Sequence, residues 1–246
     1  MEANPSQGKE SPRIEVTIAA PADEVWQALR DPELIRRWHG WHFDGLDDEV
    51  REIYFKDVTE DPEQRVLKVQ GNDRFSLHPV NGGTVVRITR SPLGLDPDWD
   101  AYYDDITEGW TTFLHQLRFA VERHGLAERQ TLVLEGILAD QREPFAQVLG
   151  LGAAAGLAEG ERYRASLAPG DEFNGVVYAR TENQLLLTVD ELGDGLLVVA
   201  RQPRNPNRPD GGALAVLTAY ETDPADFAGL EGRWTTWWKS VTNAPA

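Results

Sequence analysis

The chain of 246 residues contains no cysteine, a single methionine and 24 basic side chains against 41 acidic ones. Without cysteine there are no disulfide staples, no thiolate metal ligands and no thiol nucleophile, so stability must come from packed apolar cores. The net charge of −17 is spread over both halves and repels phosphate backbones, which excludes nucleic acid as an expected partner. No stretch approaches the roughly 18 consecutive apolar residues that a membrane-spanning helix requires. Residues 1–12 are polar and lack the apolar centre of a secretory signal, so they are expected to form a disordered arm and the protein to be cytoplasmic. Acidic, alanine- and arginine-rich usage points to a high-GC bacterium.

Catalytic signatures are scarce too. Ser76 has no histidine or acid at a nucleophile-motif spacing. The glycines between Gly150 and Gly156 have no accompanying lysine and do not form a phosphate loop. His39 and His42 flank Trp41 without a third ligand at motif spacing, so no metal site is expected and the imidazoles are placed at a rim or in water. Glu52, His78 and Arg87 sit where a two-residue period turns them outward. No catalytic residue and no cofactor is expected.

What is present is a repeat. Glu108-Gly109-Trp110-Thr111-Thr112-Phe113 returns as Glu231-Gly232-Arg233-Trp234-Thr235-Thr236-Trp237 near the C-terminus. Each copy closes a run of strand-like segments, and ahead of each run a strand leads into a short helix: Ile14–Ala20 then Ala22–Leu29, and Thr131–Leu138 then Glu143–Leu151. The pattern predicts a tandem duplication of a strand–helix–sheet–helix unit, with the boundary near Gly125–Arg129.

In the first unit Ile14, Val16 and Ile18 alternate as in a half-buried strand. Val25, Trp26 and Leu29 make one apolar helical face, and Asp31-Pro32 restarts a second helix with Asp31 as N-cap. Strands are predicted over Glu49–Lys56, Arg65–Gln70, Arg74–Val80 and Thr84–Arg90. From Asp100 to His124, Ile106, Trp110, Phe113, Leu117 and Ala120 form an apolar stripe, with Asp105, Glu108, Gln116 and Glu122 elsewhere on the wheel; Gly125 is the expected C-cap. The second unit has predicted strands at Glu172–Ala179, Gln184–Asp190, Gly195–Arg201 and Ala213–Glu221, and a last helix with Phe227, Leu230, Trp234, Trp237 and Val241 on its apolar side.

The stretch Ile14-Glu15-Val16-Thr17-Ile18-Ala19-Ala20-Pro21-Ala22-Asp23-Glu24-Val25-Trp26, followed by Asp31-Pro32-Glu33-Leu34 and Trp38, resembles the opening of the START-like, or SRPBCC, superfamily. Glu108-Gly109-Trp110 with Leu114 and Leu117 is similar to the last helix of its bacterial branch related to the activator of the heat-shock-protein-90 ATPase. The resemblance covers about residues 12–125, and reaches 130–242 through the order of elements and the repeated Trp-Thr-Thr. It implies an α+β protein of tandem helix-grip domains, 13–125 and a diverged 130–242, each a curved antiparallel sheet wrapped around a long C-terminal helix.

The resemblance also implies a hollow between sheet and helix, which in many relatives holds an apolar small molecule and in others is filled by side chains. Trp26, Trp38, Trp41, Phe43, Tyr54, Phe75, Leu77, Trp110, Phe113 and Leu117 are expected to face it, as ligand-binding residues or as ordinary core. The expected function is binding of an apolar, aromatic or lipid-like ligand, with the better hollow in the first unit. Two alternatives stand beside it. Trp234, Trp237 and Trp238 cannot share one stripe, since adjacent Trp237 and Trp238 diverge by about 100°, so an interface between domains or in a homodimer, or a chaperone-associated role, is one. A cyclase- or hydratase-like enzyme is the other.

Overall fold

The computed structural model describes residues 13–94 and 100–242; the arm expected over 1–12 lies outside them. The described chain is α+β, with two separate antiparallel sheets and six α-helices among the described residues.

The first sheet has five strands: β1 (Arg13–Ile18), β2 (Thr59–Asp61), β3 (Val66–Lys68), β4 (Arg74–Val80) and β5 (Gly83–Thr89). Its order is β1-β5-β4-β3-β2, a meander whose last strand turns back to pair with the first. The second sheet repeats this connectivity with one strand more. It comprises β6 (Gln130–Gly136), β7 (Arg162–Ser166), β8 (Glu172–Arg180), β9 (Gln184–Val189), β10 (Gly195–Gln202) and β11 (Gly212–Ala219), in the order β6-β11-β10-β9-β8-β7.

Helix α1 (Ala22–Arg30) buries Val25, Ala28 and Leu29 on one face. Helix α2 (Pro32–Ile35) begins as expected, with Asp31 accepting from the Glu33 amide and Pro32 where its missing N–H costs nothing. The predicted strand over Glu49–Lys56 is instead helix α3 (Leu46–Tyr54). Leu46, Val50 and Tyr54 are buried at four-residue steps, and Asp47, Asp48 and Glu49 in the first turn favour the positive end of the helix. The aromatic and β-branched content of that stretch had suggested a strand, but its spacing is helical. Strands β2 and β7 were not anticipated, β2 because all three of its residues are exposed and carry no pattern.

Helix α4 (Tyr103–His124) ends at Gly125, which adopts the left-handed conformation at φ 53° expected of a C-cap. Trp110, Leu114, Leu117, Ala120 and Val121 pack into the first core with Ile18, Leu29, Trp38, Phe75, Val86 and Ile88. The opposite side of α4 is not a solvated face. Phe119 enters a second cluster with Leu186, Leu196, Val198, Leu214, Val216 and Tyr220, on the outer side of the second sheet.

Helix α4 is thus sandwiched between the two sheets, and the second sheet is buried on both faces. That burial explains why β9, β10 and β11 read as nearly continuous apolar runs rather than alternating ones. Polar residues expected on the wheel's wet side serve the same junction. Glu108 accepts from Asn183 at 2.8 Å and from Gln184 at 2.7 Å, and Asp105 binds Arg208 at 2.6 Å. Gln116 is buried beside the Trp38 and Gly40 carbonyls.

After the connecting residues, Arg129 is also fully enclosed. It donates to the His39 carbonyl at 2.7 Å and the Gly40 carbonyl at 3.2 Å, and burial pulls its guanidinium down to about 10. Helix α5 (Phe145–Leu149) and helix α6 (Pro224–Val241) cover the inner face of the second sheet.

Both long helices are pinned in the same manner through the repeated tryptophan. The Trp110 indole donates to Asp73, just before β4, at 2.7 Å, and the Trp234 indole donates to Asp171, just before β8, at 2.9 Å. The anchoring strands differ in rank within their sheets, yet each helix lies against the first strand of its own sheet, α4 against β1 and α6 against β6.

Candidate functional site

The ten residues expected around a hollow in the first half do not share one fate. Trp38, Tyr54, Phe75, Leu77, Trp110 and Leu117 are buried in its core. Trp26 and Phe113 pack half-buried against that core, and Trp41 lies against the junction cluster instead. Phe43 does not face inward: at 47% exposure it projects from the loop before α3. Nothing in its local spacing fixes a direction for a loop side chain.

Within this core the rings occupy the space between sheet and helix themselves. Phe75 and Trp110 meet edge-on at 5.2 Å between centroids, Tyr54 lies 6.2 Å from Phe75 and 6.3 Å from Trp110, and Phe113 lies 6.0 Å from Trp110.

His39 is inside this cluster and not at a rim or in water. The reason is that both of its nitrogens are satisfied internally. One ring nitrogen, Nε2, contacts the Glu49 carboxylate at 3.0 Å, and Nδ1 contacts the Tyr54 hydroxyl at 3.0 Å. Burial lowers the imidazole's affinity for a proton, against a smaller opposing pull from Glu49. A neutral ring that donates to Glu49 and accepts from Tyr54 satisfies all three groups. Burial holds the Tyr54 phenol protonated, which suits the same arrangement. Tyr54 and His39 are fully enclosed, whereas the Glu49 side chain is 38% exposed and borders the groove at Gly40, Trp41 and Phe113.

The largest recess among those described lies in the second half, at the end of its sheet where β8 turns into β9 and β10 leads to β11. Its volume is about 600 Å³. Leu185, Val199 and Ala213 form the floor from three adjacent strands, and Leu138, Pro144 and Phe145 form the facing wall beside α5.

The space exists for a sequence reason. On β11 the inward residue at this end is Ala213, beside Gly211 and Gly212, so a methyl side chain and two glycines stand on this side of the recess, while Gly136 at the end of β6 is covered by Trp238. Pro144 and the left-handed Gly150 at φ 98° limit α5 to five residues, so it covers only part of the sheet's inner face.

Around the lip stand Gln141, Arg142, Glu143, Arg180, Glu182, Asn183, Arg201, Arg204 and Asp210. Arg142 is held by Asp140, and Arg180 donates to the carbonyls of Ala155 at 2.8 Å and Leu157 at 2.7 Å. The lining includes no histidine, serine, cysteine or tyrosine. An apolar floor with a charged lip suits holding an amphiphilic molecule by one end; it provides no paired nucleophile and base.

None of these lining residues belonged to the expected site. One signal could have found them. Leu197, Val199 and Arg201 continue a single inward row on β10, so an arginine stands where the period demands an apolar residue, opposite Ala213 in register.

The three C-terminal tryptophans also differ from the expected interface. Trp234 and Trp238 are buried and Trp237 is half-buried, all within the second-half core, with Trp237 beside Phe145. The longer strands around α6 give it a wider face to pack against than one stripe. The contact between the halves is made by α4 instead. Among the described residues no helix is long and apolar enough to cross a membrane.

No protein-family model matches the chain. No curated protein matches it either. Among solved structures, it is similar to DynU16, a protein of the dynemicin biosynthetic locus, over 94% of this chain and 95% of that one, at 17% identity and a TM-score of 0.33.

Proposed function

We propose that the chain consists of two consecutive helix-grip units, 13–125 and 130–242, and that it is a small-molecule-binding protein whose ligand occupies the recess of the second unit. The tandem reading is supported by the shared strand connectivity of the two sheets and by the indole-to-aspartate bond that anchors each closing helix. In this reading the aromatic set of the first unit is packed core, and α4 serves as a strut on which the second sheet is mounted.

The observation that carries the function is the recess itself. About 600 Å³ with leucine, valine and phenylalanine walls falls within the 300–1,000 Å³ range usual for ligand pockets. The hollows described in the first unit are smaller: about 360 Å³ among Arg36, His42, Leu46 and Asp47, and about 220 Å³ at Gly40, Trp41, Glu49 and Phe113.

The test uses a neutral fluorescent probe, N-phenyl-1-naphthylamine. The wild-type protein is expected to bind it with micromolar affinity, and Ala213→Trp, which fills the floor, to lose at least tenfold. Overpacking at a site that is 1% exposed costs typically 1–3 kcal/mol, so Ala146→Trp on the opposite wall is the companion variant, with circular dichroism verifying the fold of each. Absence of probe binding at 100 µM, or binding that both folded variants retain, refutes the reading.

A further inference from the structure

The lip of the second-unit recess brings together two arginines without a carboxylate partner among the described residues, in an otherwise acidic protein. Most arginines among the described residues have carboxylate partners, as in the pairs of Arg30 with Glu60, Arg123 with Asp194 and Arg233 with Asp171. Arg201 and Arg204 have none. Both are exposed, neither guanidinium makes a hydrogen bond or ion pair with the described residues, and both border this hollow, Arg201 at the sheet edge it shares with a smaller recess on the outer face.

Arg201 ends the inward row Leu197–Val199–Arg201, so its stem leaves the sheet on the side of the apolar floor. Arg204 follows in the loop between β10 and β11. The other two basic residues of the lip are already engaged, Arg142 by Asp140 and Arg180 by main-chain carbonyls.

Resting on the ligand-binding reading above, we propose that this site takes an apolar molecule bearing a single anionic group, a carboxylate or sulfonate, whose body lies on Leu185, Val199 and Ala213 and whose charge is received by Arg201 and Arg204. A guanidinium presents a planar fork of donors matched to such a group, and charge-assisted bonds are roughly twice as strong as neutral ones.

The pattern also sets an upper limit on the ligand's charge. Glu143, Glu182 and Asp210 stand on the same lip and would repel a polyanion, so nucleoside diphosphates and similar ligands are disfavoured.

The experiment compares two dyes that share an anilinonaphthalene body: 8-anilinonaphthalene-1-sulfonate, which is anionic, and neutral N-phenyl-1-naphthylamine. In the full-length protein, Arg201→Gln/Arg204→Gln is expected to weaken the sulfonate dye about tenfold or more while changing the neutral dye less than twofold. The corresponding double lysine variant is expected to recover part of the loss. Ala146→Trp is expected to weaken both dyes.

If the glutamine pair shifts both dyes equally or neither, the anion assignment falls while ligand binding stands. If the sulfonate dye binds but ignores Ala146→Trp, it sits elsewhere on the surface and the assignment also falls. If neither dye binds, the functional reading and this inference fail together.

Discussion

Asp73→Ala is expected to lower the unfolding free energy by about 3–5 kcal/mol, the range for breaking a buried ion pair by removing one partner. Asp73 and Arg90 are both 5% exposed, and the Arg90 guanidinium lies 3.3 Å from the carboxylate. Asp73 also accepts from the Trp110 indole at 2.7 Å and from the Ser91 amide at 2.9 Å.

Among the described residues Arg90 has no other carboxylate partner. Its remaining contact is with the face of Tyr103 at 4.5 Å, whose hydroxyl is occupied by the Ser91 carbonyl. Removing the carboxylate therefore leaves a cation without a counter-charge and two donors without an acceptor, in a place water does not reach. Urea denaturation followed by tryptophan fluorescence measures the change. Asp73→Asn, which retains an acceptor oxygen, is expected to lose less than the alanine variant. A loss below about 1 kcal/mol for alanine would contradict the role given to this carboxylate.

Acid is expected to destabilise the protein between pH 7.5 and pH 5 by about 2 kcal/mol or more. The cause is histidine held neutral by full burial at His39 and by partial desolvation at the others. Burial, reinforced by Arg118, pushes His115 down to about 4, and burial also lowers His39, His42 and His124.

The sign follows from proton counting. Below about pH 6.5 an unfolded histidine takes up a proton that its folded counterpart refuses, so the unfolded state binds more protons and stability rises with pH. This contribution is complete above pH 6.5 and is lost as pH falls towards 4 for His115. His115→Gln should flatten the dependence measured by urea titrations at a series of pH values. A stability that is level between pH 7.5 and 5 in the wild-type protein would overturn the assignment.

The recess and the fold differed in how far the sequence disclosed them. Strands β4, β5 and β8 to β11, the caps at Asp31-Pro32 and Gly125, and the long closing helices all follow from periods of two or near four and from turn chemistry within a dozen residues. Helix α3 was misread because aromatic and β-branched composition outweighed the four-residue spacing of Leu46, Val50 and Tyr54. The recess went unnoticed because it is defined by what is small. Gly211, Gly212 and Ala213 carry no motif, and they border a hollow only when three strands and α5 surround them.

By itself, then, the chain determined the α+β class, the repeated order of elements and the acidic, cysteine-free surface, because these depend on local periodicity and summed charge. Tertiary structure alone decided that α4 has two buried sides, that His39 and Arg129 are enclosed, and that free space lies in the later half. Those outcomes depend on which faces meet across intervals of 70 to 100 residues, where Glu108 finds Gln184 and Arg129 finds the carbonyl of His39. A hydrophobic pattern specifies that a face will be covered; only packing selects what covers it and where a gap remains.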